Sequence, residues 1–205
     1  MVFMNDFNVT RGYGLLEGFL ARQRIKITNG LLKSCSSKDR ILDIGCGTYP
    51  LFLLQSNFFE KYGIDKVSYS REIEQLKNSN IIISNHDIVT EEKLPFENSN
   101  FDAVTMLAVF EHIEPTNLAE VLNEIHRVLR PEGIFIITTP AKWTDGLLRI
   151  MSKLKLVSSV EIGEHKEAYT AAKISALLRS AGFDKEKIQF GYFEMFMNIW
   201  TAAKK

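Results

Sequence analysis

The chain has 205 residues, is 45% hydrophobic and 24% charged, and balances 25 Lys and Arg against 25 Asp and Glu, so its formal net charge is zero. That composition supplies a well-buried single domain over 1–205 and excludes disorder as the organising state, while offering no general attraction to nucleic acid or an anionic membrane. The two cysteines, Cys35 and Cys46, fall short of a Cys-rich metal site; residues 1–7 lack an export signal's basic start and apolar core, and no apolar run reaches spanning length, so a cytoplasmic protein is expected.

In chain order, residues 15–32 place Leu16, Phe19, Leu20, Ile27 and Leu31 at helical spacing, which predicts a helix packed on the fold behind it. Arg22, Arg24 and Lys26 read as its wet face, and 1–35 as an N-terminal helical cap. The run Arg40-Ile41-Leu42-Asp43-Ile44-Gly45-Cys46-Gly47-Thr48-Tyr49-Pro50 follows, an apolar strand broken by Gly-x-Gly and leading into a helix over 51–59 with Pro50 in its first turn. The glycines let the backbone bend tightly and approach a ligand. A dinucleotide fingerprint wants a third glycine where Pro50 stands, and a phosphate-binding P-loop wants Gly-Lys-Ser/Thr, which is absent here. Asp43 would repel a pyrophosphate but suits an ammonium or another positive centre. The turn is built for a cation-bearing nucleoside.

S-adenosylmethionine has that character, and Leu42-Asp43-Ile44-Gly45-Cys46-Gly47-Thr48 resembles the first motif of class I S-adenosylmethionine-dependent methyltransferases. Tyr49 stands where that family commonly carries a third glycine, which makes the loop bulkier near the methionine tail. Further along, Leu94-Pro95-Phe96 with Phe101-Asp102-Ala103-Val104 resembles the same family's small-molecule branch, and Phe110-Glu111-His112-Ile113 resembles ubiquinone- and menaquinone-pathway members. The resemblance implies a three-layer α/β, Rossmann-like fold with a seven-stranded, mostly parallel sheet in the order 3-2-1-4-5-7-6 and a reversed last strand.

The cofactor residues expected on this basis are Asp43, Gly45, Cys46, Gly47, Asp65, Lys66, Asp87, Ile88 and Leu107. Asp65 ends a strand over 61–65, about 20 residues after the glycine turn, where such folds place an acid on the ribose hydroxyls. A third strand, Ile81-Ile82-Ile83-Ser84, reads as wholly apolar; the resemblance puts Asp87 on the adenine amino group, with Ile88 against the ring, and leaves His86 as a surface or packing histidine. Leu107 leaves the fourth strand, where backbone atoms approach the methionine moiety. Arg11 and Tyr13 are lid candidates, because N-terminal segments of the family often close over the cofactor.

Asn117 and Glu120 mark the start of a helix whose stripe runs through Leu118, Val121, Leu122, Ile125, Val128 and Leu129 and ends at Pro131-Glu132-Gly133; residues 134–139 read as the central fifth strand. Residues 140–169 interrupt the pattern and read as a substrate-lid insertion whose apolar and basic residues also suit contact with a membrane surface. Thr170 is expected to cap a helix ended by Gly182, and two strands close the chain, with Phe193 and Phe196 near their connection.

His112 and His165 are candidate general bases, since an imidazole titrates near neutral pH. Glu111 and His112 can equally fix the loop, and residues 161–167 can equally form a solvated charged turn. The expected function is methyl transfer to a small-molecule acceptor. Alternatives are a non-catalytic S-adenosylmethionine-binding partner protein and a nucleic-acid or protein methyltransferase.

Overall fold

The computed structural model describes residues 17–66, 80–91, 93–144, 146, 154, 166 and 169–205. Arg11, Tyr13, His165 and most of the expected lid lie outside the described residues. Seven strands form one sheet in the order β3-β2-β1-β4-β5-β7-β6: β1 Arg40–Ile44, β2 Glu60–Asp65, β3 Ile81–Asn85, β4 Phe101–Leu107, β5 Leu129–Pro140, β6 Ile188–Phe193 and β7 Asn198–Lys204. Strands β1 to β5 pair in parallel, and β7 runs antiparallel between β5 and β6. The order reverses between β1 and β4, and open α/β sheets bind ligands beyond the carboxyl ends of the strands at such a switch point.

Period-two alternation sorts the strand residues between two helical layers. Leu42 and Ile44 of β1, Val104 and Met106 of β4, and Phe135 and Ile137 of β5 bury against α3 (Leu118–Val128) and α4 (Ala171–Ser180). Ile41, Ala103, Ile134 and Ile136 face the other way, onto α1 (Glu17–Leu31) and α2 (Leu51–Gln55). Asp43 and Thr105 belong to this second face and are cross-strand partners. Among the described residues, no helix is long and apolar enough to cross a membrane.

Several boundaries differ from expectation for physical reasons. Helix α1 buries Ala21, Ile25 and Thr28, while Phe19 of the expected stripe is exposed, so the face that packs is rotated from the one its largest apolar residues suggest. Helix α2 stops at Gln55, and Phe58 beyond it is buried as part of the connection. Strand β3 is one edge of the sheet, and Ile82 is 57% exposed. An apolar run does not distinguish a central strand from an edge strand.

Helix α3 starts after Asn117, but the Asn117 side chain makes no capping bond. Strand β5 begins at Leu129, ahead of the Pro131-Glu132-Gly133 phrase, which sits inside the strand; Glu132 has φ 63°, and the register with β4 shifts between Phe101 and Ala103. The phrase bends the strand instead of preceding it. Thr170 caps α4 as expected, its hydroxyl accepting from Lys173 N at 3.3 Å.

Candidate active site

The cavity at the carboxyl ends of β1, β2 and β4 has a volume of about 400 Å³, within the ~300–1,000 Å³ of small-molecule sites. Its walls bring together all nine expected cofactor residues, Asp43, Gly45, Cys46, Gly47, Asp65, Lys66, Asp87, Ile88 and Leu107, together with His112. Glu111, Phe193 and Phe196 are not among its lining residues; Glu111 and Phe193 are buried elsewhere and Phe196 is exposed.

The glycine turn is shaped by two different demands. Gly45 has φ +74°, and a Cβ there would stand 2.3 Å from Val109 Cγ2, so the absence of a side chain lets the loop after β4 close onto the turn. Gly47 has φ +71°, and a Cβ there would meet nothing within 4 Å. Its backbone therefore faces open cavity, as a ligand cradle requires. Gly47 N donates to Asp65 Oδ2 at 2.9 Å, while Gly45 N donates to the Ile64 carbonyl at 2.8 Å. The ends of β1 and β2 are thereby locked together, and Asp65 holds the turn as well as lining the cavity.

Asp43 is the electrostatic centre. Only 3% of it is exposed, and its Oδ1 accepts from Thr105 Oγ1 at 2.7 Å. Burial pushes its carboxyl up to about 7, with the Asp65 charge adding to the rise and the Thr105 bond opposing it. A buried carboxyl in this state is stabilised in its charged form by an incoming cation. Tyr49 lines the cavity wall and leaves it open.

The part of the wall beyond β4 is formed by Ala108, Val109, His112, Ile113, Glu114 and Lys166. Ala108 has φ 56°, an uncommon conformation for a residue with a Cβ, and is held by its N–H donating to the Thr138 carbonyl at 2.9 Å. A 3-10 turn over Phe110–His112 follows, with His112 N donating to Val109 O at 2.9 Å. Lys166 N donates to the Glu111 carbonyl at 2.9 Å, and Lys166 Nζ lies 3.2 Å from Glu114 Oε1.

Sequence reasoning missed four contributors. Arg24, read as part of a wet face, lines the cavity with Ala21 and Ile25. His86, read as a surface or packing residue, is buried and also lines it. Thr105 had a signal, a hydroxyl within the apolar run Ala103–Leu107 of β4; Val109 had none, because its role depends on the backbone turn at Ala108.

A model for a methyltransferase domain matches residues 16–188. An uncharacterized protein of Methanocaldococcus jannaschii is 32% identical over 180 residues, covering 84% of this chain and 62% of that protein. The carboxy-S-adenosyl-L-methionine synthase of Campylobacter fetus is 27% identical over 155 residues, covering 71% and 61%. This chain thus spans about three fifths of the length of these relatives. Among solved structures, an S-adenosylmethionine-dependent methyltransferase from Archaeoglobus fulgidus superposes with TM-score 0.63 at 16% identity, covering 92% of this chain and all of that one, a likeness of fold. Sheet order, glycine turn and family match agree, and the chain belongs to the class I S-adenosylmethionine-dependent methyltransferase superfamily.

Proposed function

We propose that this protein transfers the methyl group of S-adenosylmethionine to a small-molecule acceptor. The observation that carries the reading is that one cavity joins the Gly45–Gly47 turn to His112, so that donor and acceptor would share a single space. The cofactor supplies an activated methyl on a sulfonium when bound. Gly47 offers open backbone, Asp43 a buried carboxyl that favours a cation, Asp65 the ribose position, and Asp87 and Ile88 the adenine position.

The remaining work is alignment. Holding donor and acceptor in line can supply ~7–11 kcal/mol of barrier lowering, provided both are fixed by rigid elements. Here the loop carrying His112 is pinned on Gly45 through Val109. For a hydroxyl or phenolic acceptor, His112 takes the proton. An activated carbon or an amine needs no such base.

Calorimetric titration with S-adenosylhomocysteine, with NAD as control, tests the cofactor reading. Selective binding supports it, and no binding by the folded chain overturns it. Turnover is then followed with acceptors from sugar, quinone and polyketide chemistry. For a hydroxyl acceptor, His112→Asn should lower turnover by about 10²–10⁴-fold while leaving S-adenosylhomocysteine affinity within a few fold. Transfer seen only to RNA or protein would replace the small-molecule assignment.

A further inference from the structure

Strand β3 ends at Asn85, and the next six residues fold into a compact turn. Thr90 N and Glu91 N both donate to the Asp87 carbonyl, at 3.2 and 2.9 Å, and Val89 N donates to Asp87 Oδ1 at 3.0 Å. The Glu91 carboxylate is shared between two neighbours: Oε1 accepts from Asp87 N at 2.9 Å, and Oε2 lies 3.0 Å from His86 Nδ1. His86 N donates to the Asp65 carbonyl at 3.0 Å. The imidazole is therefore fixed through its backbone on one side and through Nδ1 on the other.

His86 is only 5% exposed, and its buried Nε2 has no hydrogen-bond partner among the described residues, although the residue lines the same cavity as Asp65, Asp87 and Ile88. A buried ring nitrogen without a partner is a cost to the fold and calls for a reason. The Glu91 contact selects the tautomer of the neutral ring. In the neutral ring Nδ1 must carry the proton to donate to a carboxylate, which leaves Nε2 as an acceptor. It lacks a donor, and the nucleoside half of the cofactor is rich in donors, with ribose hydroxyls and the adenine 6-amino group.

We infer that His86 Nε2 accepts a hydrogen bond from the nucleoside half of bound S-adenosylmethionine, making His86, oriented by Glu91, a binding and specificity residue. The inference rests on the cofactor reading above. It adds a third acceptor, His86, to Asp65 and Asp87 on the wall, a set that selects an amino-bearing base and free hydroxyls over a keto base.

The test compares wild type with His86→Phe, which keeps a ring of similar size without the nitrogen, against S-adenosylhomocysteine, its 6-oxo analogue S-inosylhomocysteine, and its 2′-deoxy and 3′-deoxy forms. His86→Phe should weaken S-adenosylhomocysteine binding about tenfold. For the one analogue lacking the contacted donor, the difference between wild type and variant should shrink below about twofold, which identifies the donor as amino or hydroxyl. A loss of equal size against every analogue marks a merely structural role and overturns the inference, as does no loss at all.

A second measurement needs no variant. In ¹⁵N-histidine-labelled wild-type protein, the His86 ring should show a protonated Nδ1 and a bare Nε2, with Nε2 shifting upfield on addition of S-adenosylhomocysteine. A protonated Nε2, or one indifferent to the ligand, overturns the inference. If wild type binds no S-adenosylhomocysteine, the cofactor reading falls and takes this inference with it; if binding is indifferent to His86, this inference alone falls.

Discussion

Asp43 yields a prediction whose size follows from its surroundings. Folding raises its carboxyl from 3.8 to about 7, so between those values the folded chain holds more protons than the unfolded chain. Stability of the ligand-free protein therefore falls as pH rises across that window, by up to ~4 kcal/mol at ~1.4 kcal/mol per pKa unit. A cation-bearing ligand reverses the balance, because the ionised carboxylate then has a partner. At pH 6 such a carboxyl is roughly 90% protonated and at pH 8 roughly 10%, so S-adenosylhomocysteine should bind about tenfold more tightly at pH 8 and release close to one proton per site at pH 6. Calorimetry in two buffers of different ionisation enthalpy reads both quantities. Asp43→Asn keeps an oxygen for Thr105 but removes the titration. The variant should bind S-adenosylhomocysteine more weakly, lose the pH dependence, and unfold at a higher temperature than wild type at pH 8. A pH-independent affinity in wild type, or an unchanged pH dependence in Asp43→Asn, would refute the reasoning.

Other substitutions probe the frame around it. Gly45→Ala places a Cβ 2.3 Å from Val109 Cγ2 at φ +74° and should cost about 2–5 kcal/mol in denaturant unfolding; adding Val109→Ala should recover the steric part and leave the backbone part. Asp65→Ala removes the acceptor for Gly47 N and the proposed ribose partner, so S-adenosylhomocysteine affinity should fall about tenfold or more; an unchanged affinity removes Asp65 from the site. Asp102 accepts from Asp39 N, Arg40 N and Arg130 Nη1 at 3.0, 2.9 and 2.7 Å near the amino ends of β1 and β4, away from the cavity. Asp102→Ala should cost about 3–5 kcal/mol of stability while leaving the ligand affinity of the folded fraction unchanged.

The parts legible in the sequence are those whose physics is local. An apolar run ending in Gly-x-Gly requires a strand and a tight turn wherever it occurs; Asp65 follows from its distance beyond that turn, and Asp87 from the resemblance to the methyltransferase family. What escaped is set by packing between distant elements. Arg24 lies on an amphipathic helix where charge normally marks the wet side, but α1 presents Ala21, Arg24 and Ile25 to the cavity because its buried face is the one with smaller side chains. The edge position of β3 depends on sheet order, which an apolar triplet does not encode. His86 looked like a packing residue because nothing in the local phrase says that Glu91 turns back to hold its ring; that contact appears only once the turn after β3 is formed.

The contact between Gly45 and Val109 bears on how such a site attains its geometry. Gly45 opens the glycine turn directly after β1, and Val109 opens the loop that carries His112. The left-handed Ala108 aims Val109 at the glycine, and the missing Cβ at Gly45 lets it arrive. In the proposed reading, the positions of donor and acceptor are set by one close approach between the segments that follow β1 and β4, not by two loops that move independently. An orientation effect worth ~7–11 kcal/mol survives only if the relative position of the two reactants is held to a fraction of an ångström. Strain at Ala108 and a glycine at position 45 are therefore parts of one device, and loosening either should lower turnover before it lowers cofactor affinity.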